Sequence, residues 1–176
     1  MKLTRTVALV GMMGAGKSSI GRRLATRLNV PFKDADSEIE HAAGCSISQI
    51  FARYGEPAFR DGERKVIARL LAEPPHVMAT GGGAFMDPTT RQRLKHDAVT
   101  IWLQAPLDVL LARTGRRDSR PLLQGGDPRA TLERLLAERS PIYALADYTL
   151  DGEDGPHTAS VERIVALLSE TGALAA

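Results

Sequence analysis

Thr6-Val7-Ala8-Leu9-Val10-Gly11-Met12-Met13-Gly14-Ala15-Gly16-Lys17-Ser18-Ser19 joins a short apolar run to a glycine-rich turn and then to a polar helix start. Five apolar or β-branched residues bounded by glycine read as a buried strand. Beyond the turn, Ile20, Leu24 and Leu28 recur at helical spacing from Lys17 until Pro31 forbids continuation. Gly11 to Ser18 fits G-x-x-x-x-G-K-[ST] in full, and it sits between a strand and a helix, as phosphate binding requires. Glycines at 11, 14 and 16 let the backbone turn tightly enough to aim N–H groups at phosphate oxygens, and the helix start adds partial positive charge. Lys17 is expected to reach the β- and γ-phosphates of ATP, and the Ser18 hydroxyl to ligate Mg²⁺. Gly11, Gly14, Ala15, Gly16, Lys17, Ser18 and Ser19 form the expected nucleotide-binding set.

Working outward, Val30 to Lys33, His76 to Thr80, Val99 to Leu103 and Tyr148 to Leu150 read as further strands. Between them, Ser37 to Ala43, Ile47 to Tyr54, Ala58 to Ala72 and Leu107 to Thr114 read as helices, with a last apolar stripe at Val161, Ile164, Val165 and Leu168. Ser46 with Gln49 makes a capping-box pattern, and Asp87-Pro88 and Asp127-Pro128 are helix starts. Strands alternating with helices predict an α/β, three-layer P-loop fold: a five-stranded parallel sheet with helices on both faces. With 176 residues, no repeat and no low-complexity linker, the chain is expected to form a single domain spanning 1–176. The basic, turn-rich stretch from about Gly115 to Gly126 is expected to be a mobile lid.

Composition narrows the partners. A net charge of +2 gives no case for nucleic acid, and no window approaches the roughly 18 apolar residues of a membrane span. The N-terminus enters a strand-like segment almost at once, and Cys45 is the only cysteine, so a cytoplasmic, reducing setting and a monomer are expected. Arginine supplies 18 of the 23 cations, which suits carboxylate and phosphate oxygens, although compositional bias accounts equally well for most of them. His41, His76, His96 and His157 lack metal-ligand spacing and read as surface residues, and Trp102 reads as core.

Other P-loop classes fit less well. Neither D-x-x-G nor N/T-K-x-D occurs, which sets aside a switch GTPase, and the third strand ends in Gly81-Gly82-Gly83 rather than in an acid. A metabolite kinase with a closing lid fits best, since closure keeps water from the γ-phosphoryl group. Asp34 and Asp36 lie at a strand end, where open α/β sheets bind ligands. One can order the water shell of Mg²⁺ and the other accept a proton from an attacking hydroxyl, or the pair can simply cap the next helix. The glycine run marks either backbone approaching a ligand or a plain turn. Arg60, at a helix start, and Arg139, before Pro141, each suit a functional placement or a surface salt bridge.

Taken together, G-x-x-G-x-G-K-S, D-x-D, F-R-x-x-E from Phe59 to Glu63, G-G-G, R-P-L from Arg120 to Leu122, and R-x-P-x-Y from Arg139 to Tyr143 resemble the shikimate kinase family in order and rough spacing. The resemblance covers about residues 7 to 150 and implies transfer of the ATP γ-phosphoryl group to the 3-hydroxyl of shikimate. It implies that Asp36 holds the acceptor hydroxyls and acts as base, that Arg60 and Arg139 grip the carboxylate, and that Gly82 contributes backbone. It further implies that Asp34 organises the metal's water shell, that Glu63 orients Arg60, and that Arg120 reaches the phosphates in the transition state. The catalytic set is then Lys17, Asp36 and Arg120. The loop from Asp151 to His157 is acidic where some relatives are basic near adenine, so backbone contacts are expected there instead. A gluconate or nucleoside monophosphate kinase, or a regulatory module without catalysis, are the competing readings.

Overall fold

The structure, a computed structural model, describes residues 1–114, 126–152 and 156–176. Arg120, nearly all of the expected lid and the centre of the acidic loop lie outside the described residues. Strand β1 (Lys2–Leu3) precedes β2 (Thr6–Val10), and helix α1 (Lys17–Leu28) follows the glycine-rich turn. Next come β3 (Phe32–Asp34), α2 (Ala35–Ala43), α3 (Ile47–Leu71) and β4 (Val77–Ala79). A 3₁₀ turn at Ala84–Met86 leads to α4 (Pro88–Asp97), β5 (Ala98–Gln104) and α5 (Leu107–Thr114). The chain ends with α6 (Pro128–Tyr143), β6 (Tyr148–Asp151), α7 (His157–Glu170) and β7 (Leu174–Ala175).

The main sheet has the order β3-β4-β2-β5-β6, with every pair parallel. All five residues of β2 are buried, so both faces of this central strand are covered. Around the sheet, α1 packs with α7, and α3 with α4. The chain leaves β2 toward β3 on one side and later crosses from β4 to β5 on the other, so the winding reverses beside β2, and a crevice opens at such a point beyond the strand ends. The glycine-rich turn after β2, the glycines after β4 and the acids after β3 are thereby gathered at one edge.

Local signals explain the helix ends. The capping box is formed: Gln49 N donates to Ser46 Oγ at 3.2 Å and Ser46 N to Gln49 Oε1 at 3.0 Å, an arrangement typically worth about 1 kcal/mol. Asp87 accepts from Thr90 N and Asp127 from Arg129 N, each with proline next in sequence. Among the described residues, no helix is long and apolar enough to cross a membrane.

Some expectations need correction. The helix expected to open at Ser37 starts at Ala35, because Asp34 caps it by accepting from Ser37 N at 3.2 Å. Asp36 therefore lies in a helical turn rather than in a loop. The two helices expected on either side of Gly55 are present: the span from Ile47 to Leu71 is broken by non-helical backbone at Gly55 (φ 83°, ψ 172°), with Pro57 in the first turn beyond it. His76 is not at the surface: it is 1% exposed, Nδ1 meets Pro74 O at 2.9 Å, and its carbonyl accepts from Val7 N. The ladder between β2 and β4 begins one residue before β4, which carries His76 inside. His157 is half-buried at the cleft described next, again unlike a surface histidine. Two features had no counterpart in the sequence reading: the antiparallel pairing of β1 with β7, and the 3₁₀ turn. Trp102 is core.

Candidate active site

One cleft of about 610 Å³ runs along the C-terminal edge of the sheet, lined at one end by Gly14, Lys17 and Ser18 and at the other by Asp36, Arg60 and Arg139. At the first end, Gly14 (φ 83°) and Gly16 (φ 95°) adopt left-handed backbone that side chains resist, which is how the turn doubles back over the start of α1. Lys17, 9% exposed, donates from Nζ to Gly11 O at 2.7 Å and Met12 O at 2.8 Å, so its ammonium is held along the rim of the loop. Ser18 Oγ donates to Asp34 Oδ2 at 2.7 Å. Asp34 thus caps α2, as one of the readings left open for it has it, and also bonds Ser18, the expected metal ligand. Gly16 and Ser19 line the cleft with Gly14, Lys17 and Ser18. Ala15 is buried and its N–H donates to Met12 O at 3.1 Å, and Gly11 offers its carbonyl to Lys17, so these two shape the loop from within.

At the other end, β4 delivers Gly81, Gly82 and Gly83 into a crowd of acidic and basic side chains. A Cβ on Gly81 would stand 2.7 Å from Asp36 Oδ1 and 3.1 Å from Glu63 Oε2, and one on Gly83 would stand 2.7 Å from Arg60 Cζ. The run is thus a turn at which side chains converge, and a Cβ at 81 or 83 would crowd them. Arg60 Nη1 donates to Glu63 Oε1 at 2.9 Å and Nη2 to Glu56 Oε1 at 3.4 Å. The salt-bridge reading of Arg60 holds, and the ion pair fixes a guanidinium that lines the cleft. Glu63 is 1% exposed, and burial pushes its carboxyl above the ordinary range, with Arg60 pulling it down and Asp36 and Asp87 adding to the rise.

Arg139 projects from α6, is 8% exposed, and its Nη1 has no partner among the described residues. A buried guanidinium N–H left unpaired costs enough that an anionic ligand is the natural counterpart. Sequence reasoning missed two residues at the nucleotide end. Arg113 donates from Nη1 to Gly14 O at 3.2 Å, and both it and His157 lie 3.4 Å from where a Gly16 Cβ would be. Burial, then Arg113 and Arg23, hold the His157 imidazole below its usual value. The available signal was position: each sits at a helix end just beyond the edge of the sheet, Arg113 ending α5 after β5 and His157 opening α7 after β6.

The family model described as shikimate kinase matches residues 13–169. The chain belongs to the shikimate kinase family. A shikimate kinase of Paramagnetospirillum magneticum is 57% identical over 164 residues, 93% of this chain and 84% of the relative. One from Caulobacter vibrioides is 54% identical over 169 residues, 96% and 84% of the two chains. The structure of shikimate kinase from Acinetobacter baumannii in complex with shikimate superimposes with a TM-score of 0.93 at 37% identity, covering 97% of this chain and 96% of that one. Like other members of the shikimate kinase family, this chain is a kinase, and the parallel sheet described above is the family's fold.

Proposed function

We propose that the chain transfers the γ-phosphoryl group of ATP to the 3-hydroxyl of shikimate, giving shikimate 3-phosphate and ADP. The observation that carries this reading is the arginine pair, half-buried Arg60 and buried Arg139, placed with Asp36 at the end of the cleft opposite Lys17 and Ser18. A carboxylate anchored by two guanidiniums, one with an N–H otherwise unpaired, is held at a fixed point in the cleft. The hydroxyl at the far side of a small ring then faces the phosphates. Gluconate, a flexible chain, and a nucleoside monophosphate, with a base to bind, make poorer use of that pair.

In this reading Asp36 accepts the hydroxyl proton as the acceptor oxygen bonds to the γ-phosphorus and the bond to the β-phosphate oxygen breaks. Lys17 leaves its two carbonyl partners for the phosphate oxygens, where its charge counts most in the transition state. A hydroxyl and one carboxylate, Ser18 with Asp34, fit Mg²⁺, which keeps several waters and takes phosphate oxygens, and which when bound neutralises charge on the phosphates. Arg120 is assigned to the phosphates on the family motif alone. The reading includes residues 1–176 acting as one unit, with the segment 115–126 closing over the substrates, as a cytoplasmic monomer.

Coupled ADP release with shikimate, gluconate and CMP as acceptors tests the assignment. Turnover is expected with shikimate, and Lys17→Met should remove nearly all of it while the circular dichroism spectrum stays unchanged. A rate with gluconate or CMP above that with shikimate overturns the acceptor. Retention of more than about a tenth of the rate in Lys17→Met overturns the role of the loop.

A further inference from the structure

Tyr143 ends α6 and is fully buried, its ring tilted 30° against Trp102 with centroids 5.7 Å apart. Packing alone would be served by phenylalanine, since a phenol taken out of water is costly unless its hydroxyl is bonded. Here the hydroxyl is bonded: it donates to the Gly82 carbonyl, and it lies 3.9 Å from Met12 Sδ in the phosphate loop. One atom therefore joins α6, the glycine run and the shell of the nucleotide site.

The bonded carbonyl matters because of what shares its peptide. A trans peptide is planar, so fixing the Gly82 C=O toward Tyr143 turns the Gly83 N–H the opposite way. Gly82 and Gly83 line the cleft, and neither N–H donates to an acceptor among the described residues. Arg139 stands one helical turn before Tyr143 on the same face of α6, with Nη1 3.2 Å from where a Gly82 Cβ would be. The helix thus presents a guanidinium to the cleft and, four residues on, holds the neighbouring peptide from behind. Glycine at 82 and 83 leaves that peptide with little conformational restraint of its own, so an external hold has something to do.

We propose that Tyr143 is a positioning residue for the acceptor: its hydroxyl fixes the Gly82–Gly83 peptide so that the backbone adds an N–H donor beside Arg139 for the acceptor's carboxylate. The inference rests on the shikimate reading given above. Burial raises the phenol to about 12, against the pull of Arg139 and Arg60, so the donor persists at any pH at which the enzyme works.

Tyr143→Phe keeps the ring and removes the bond. The shikimate KM should rise about tenfold, as expected for one lost charge-assisted contact, while the ATP KM stays within about twofold. A role confined to packing would lower the melting temperature and leave that ratio of KM values unchanged, and this result overturns the proposal. Should the variant fail to fold, amide resonances of the wild type decide: the Gly83 N–H must shift on addition of shikimate without nucleotide, and a silent Gly83 overturns the proposal as well. Wild-type enzyme that does not turn over shikimate removes the functional reading and this inference with it. Wild-type turnover together with an unaltered KM ratio in Tyr143→Phe removes the inference alone.

Discussion

Glu63 faces a conflict that its neighbours resolve only in part. One oxygen accepts from Arg60 at 2.9 Å, and the other, Oε2, is buried without a partner among the described residues. Burial is the largest influence on this carboxyl and raises its pKa, and Asp36 and Asp87 push the same way. The folded protein therefore binds a proton at Glu63 more readily than the unfolded chain, whose carboxyl titrates near 4.5. Stability contributed by that proton is complete below this value and is lost as pH rises through the folded pKa. Glu63→Gln has no such proton. The stability difference, wild type minus variant, is thus expected to be largest near pH 4.5 and to shrink toward pH 8, as measured by urea unfolding of ligand-free protein. A difference that grows with pH would show that the Arg60 ion pair outweighs burial. Since a neutral amide would hold Arg60 less firmly than the carboxylate does, a several-fold rise in the shikimate KM should accompany the change. Sequence alone placed Glu63 one turn from Arg60, but nothing in F-R-x-x-E shows that the acid is buried or that its second oxygen faces Gly81.

The elements that shape the acceptor end are set by glycine and proline more than by hydrophobic pattern. Gly55 and Pro57 are readable as a break, and the backbone there does leave the helix. The second helix opens at once beyond the break, because proline is compatible with its first turn. His76, by contrast, misleads. After Pro74-Pro75 it reads as exposed, yet the ladder to Val7 starts at His76 itself. Two-residue strands such as β1 and β7 are too short for any periodicity to reveal. The glycine run after β4 was legible as unusual, and the structure supplies the cause. A Cβ at Gly83 would meet the Arg60 guanidinium, the far end of a flexible side chain that can move aside. Gly83→Ala is therefore expected to shift the melting temperature by only about 2–4 °C while raising the shikimate KM roughly tenfold through the displaced Arg60. A larger loss of stability with an unaltered KM would mean that the glycine serves the backbone rather than the guanidinium.

Across the whole molecule, the parallel sheet and the crevice at its switch point followed from strand order, and the phosphate loop followed from a single motif. The division of the cleft did not, because spacing alone cannot tell which of two acids faces which end. In the structure Asp34 closes β3 and meets Ser18 at 2.7 Å, whereas Asp36, in the first turn of α2, sits against Gly81 beside Glu63. The two carboxylates thus address different partners although only one residue separates them. Asparagine at either position keeps the shape and an acceptor oxygen, and at 34 it still caps the helix, so both variants should fold. Asp34→Asn removes the negative charge beside Ser18, and its loss of rate should be partly recovered as Mg²⁺ is raised. Asp36→Asn can hold the acceptor hydroxyl but cannot take its proton. Its kcat should fall by about 10²–10⁴, with little change in the ATP KM and no recovery at high Mg²⁺. The lower part of that range is favoured if proton removal lags behind phosphoryl transfer, as a loose transition state implies. A magnesium titration of both variants separates the roles, and superimposable curves would place both acids at the same end of the chemistry.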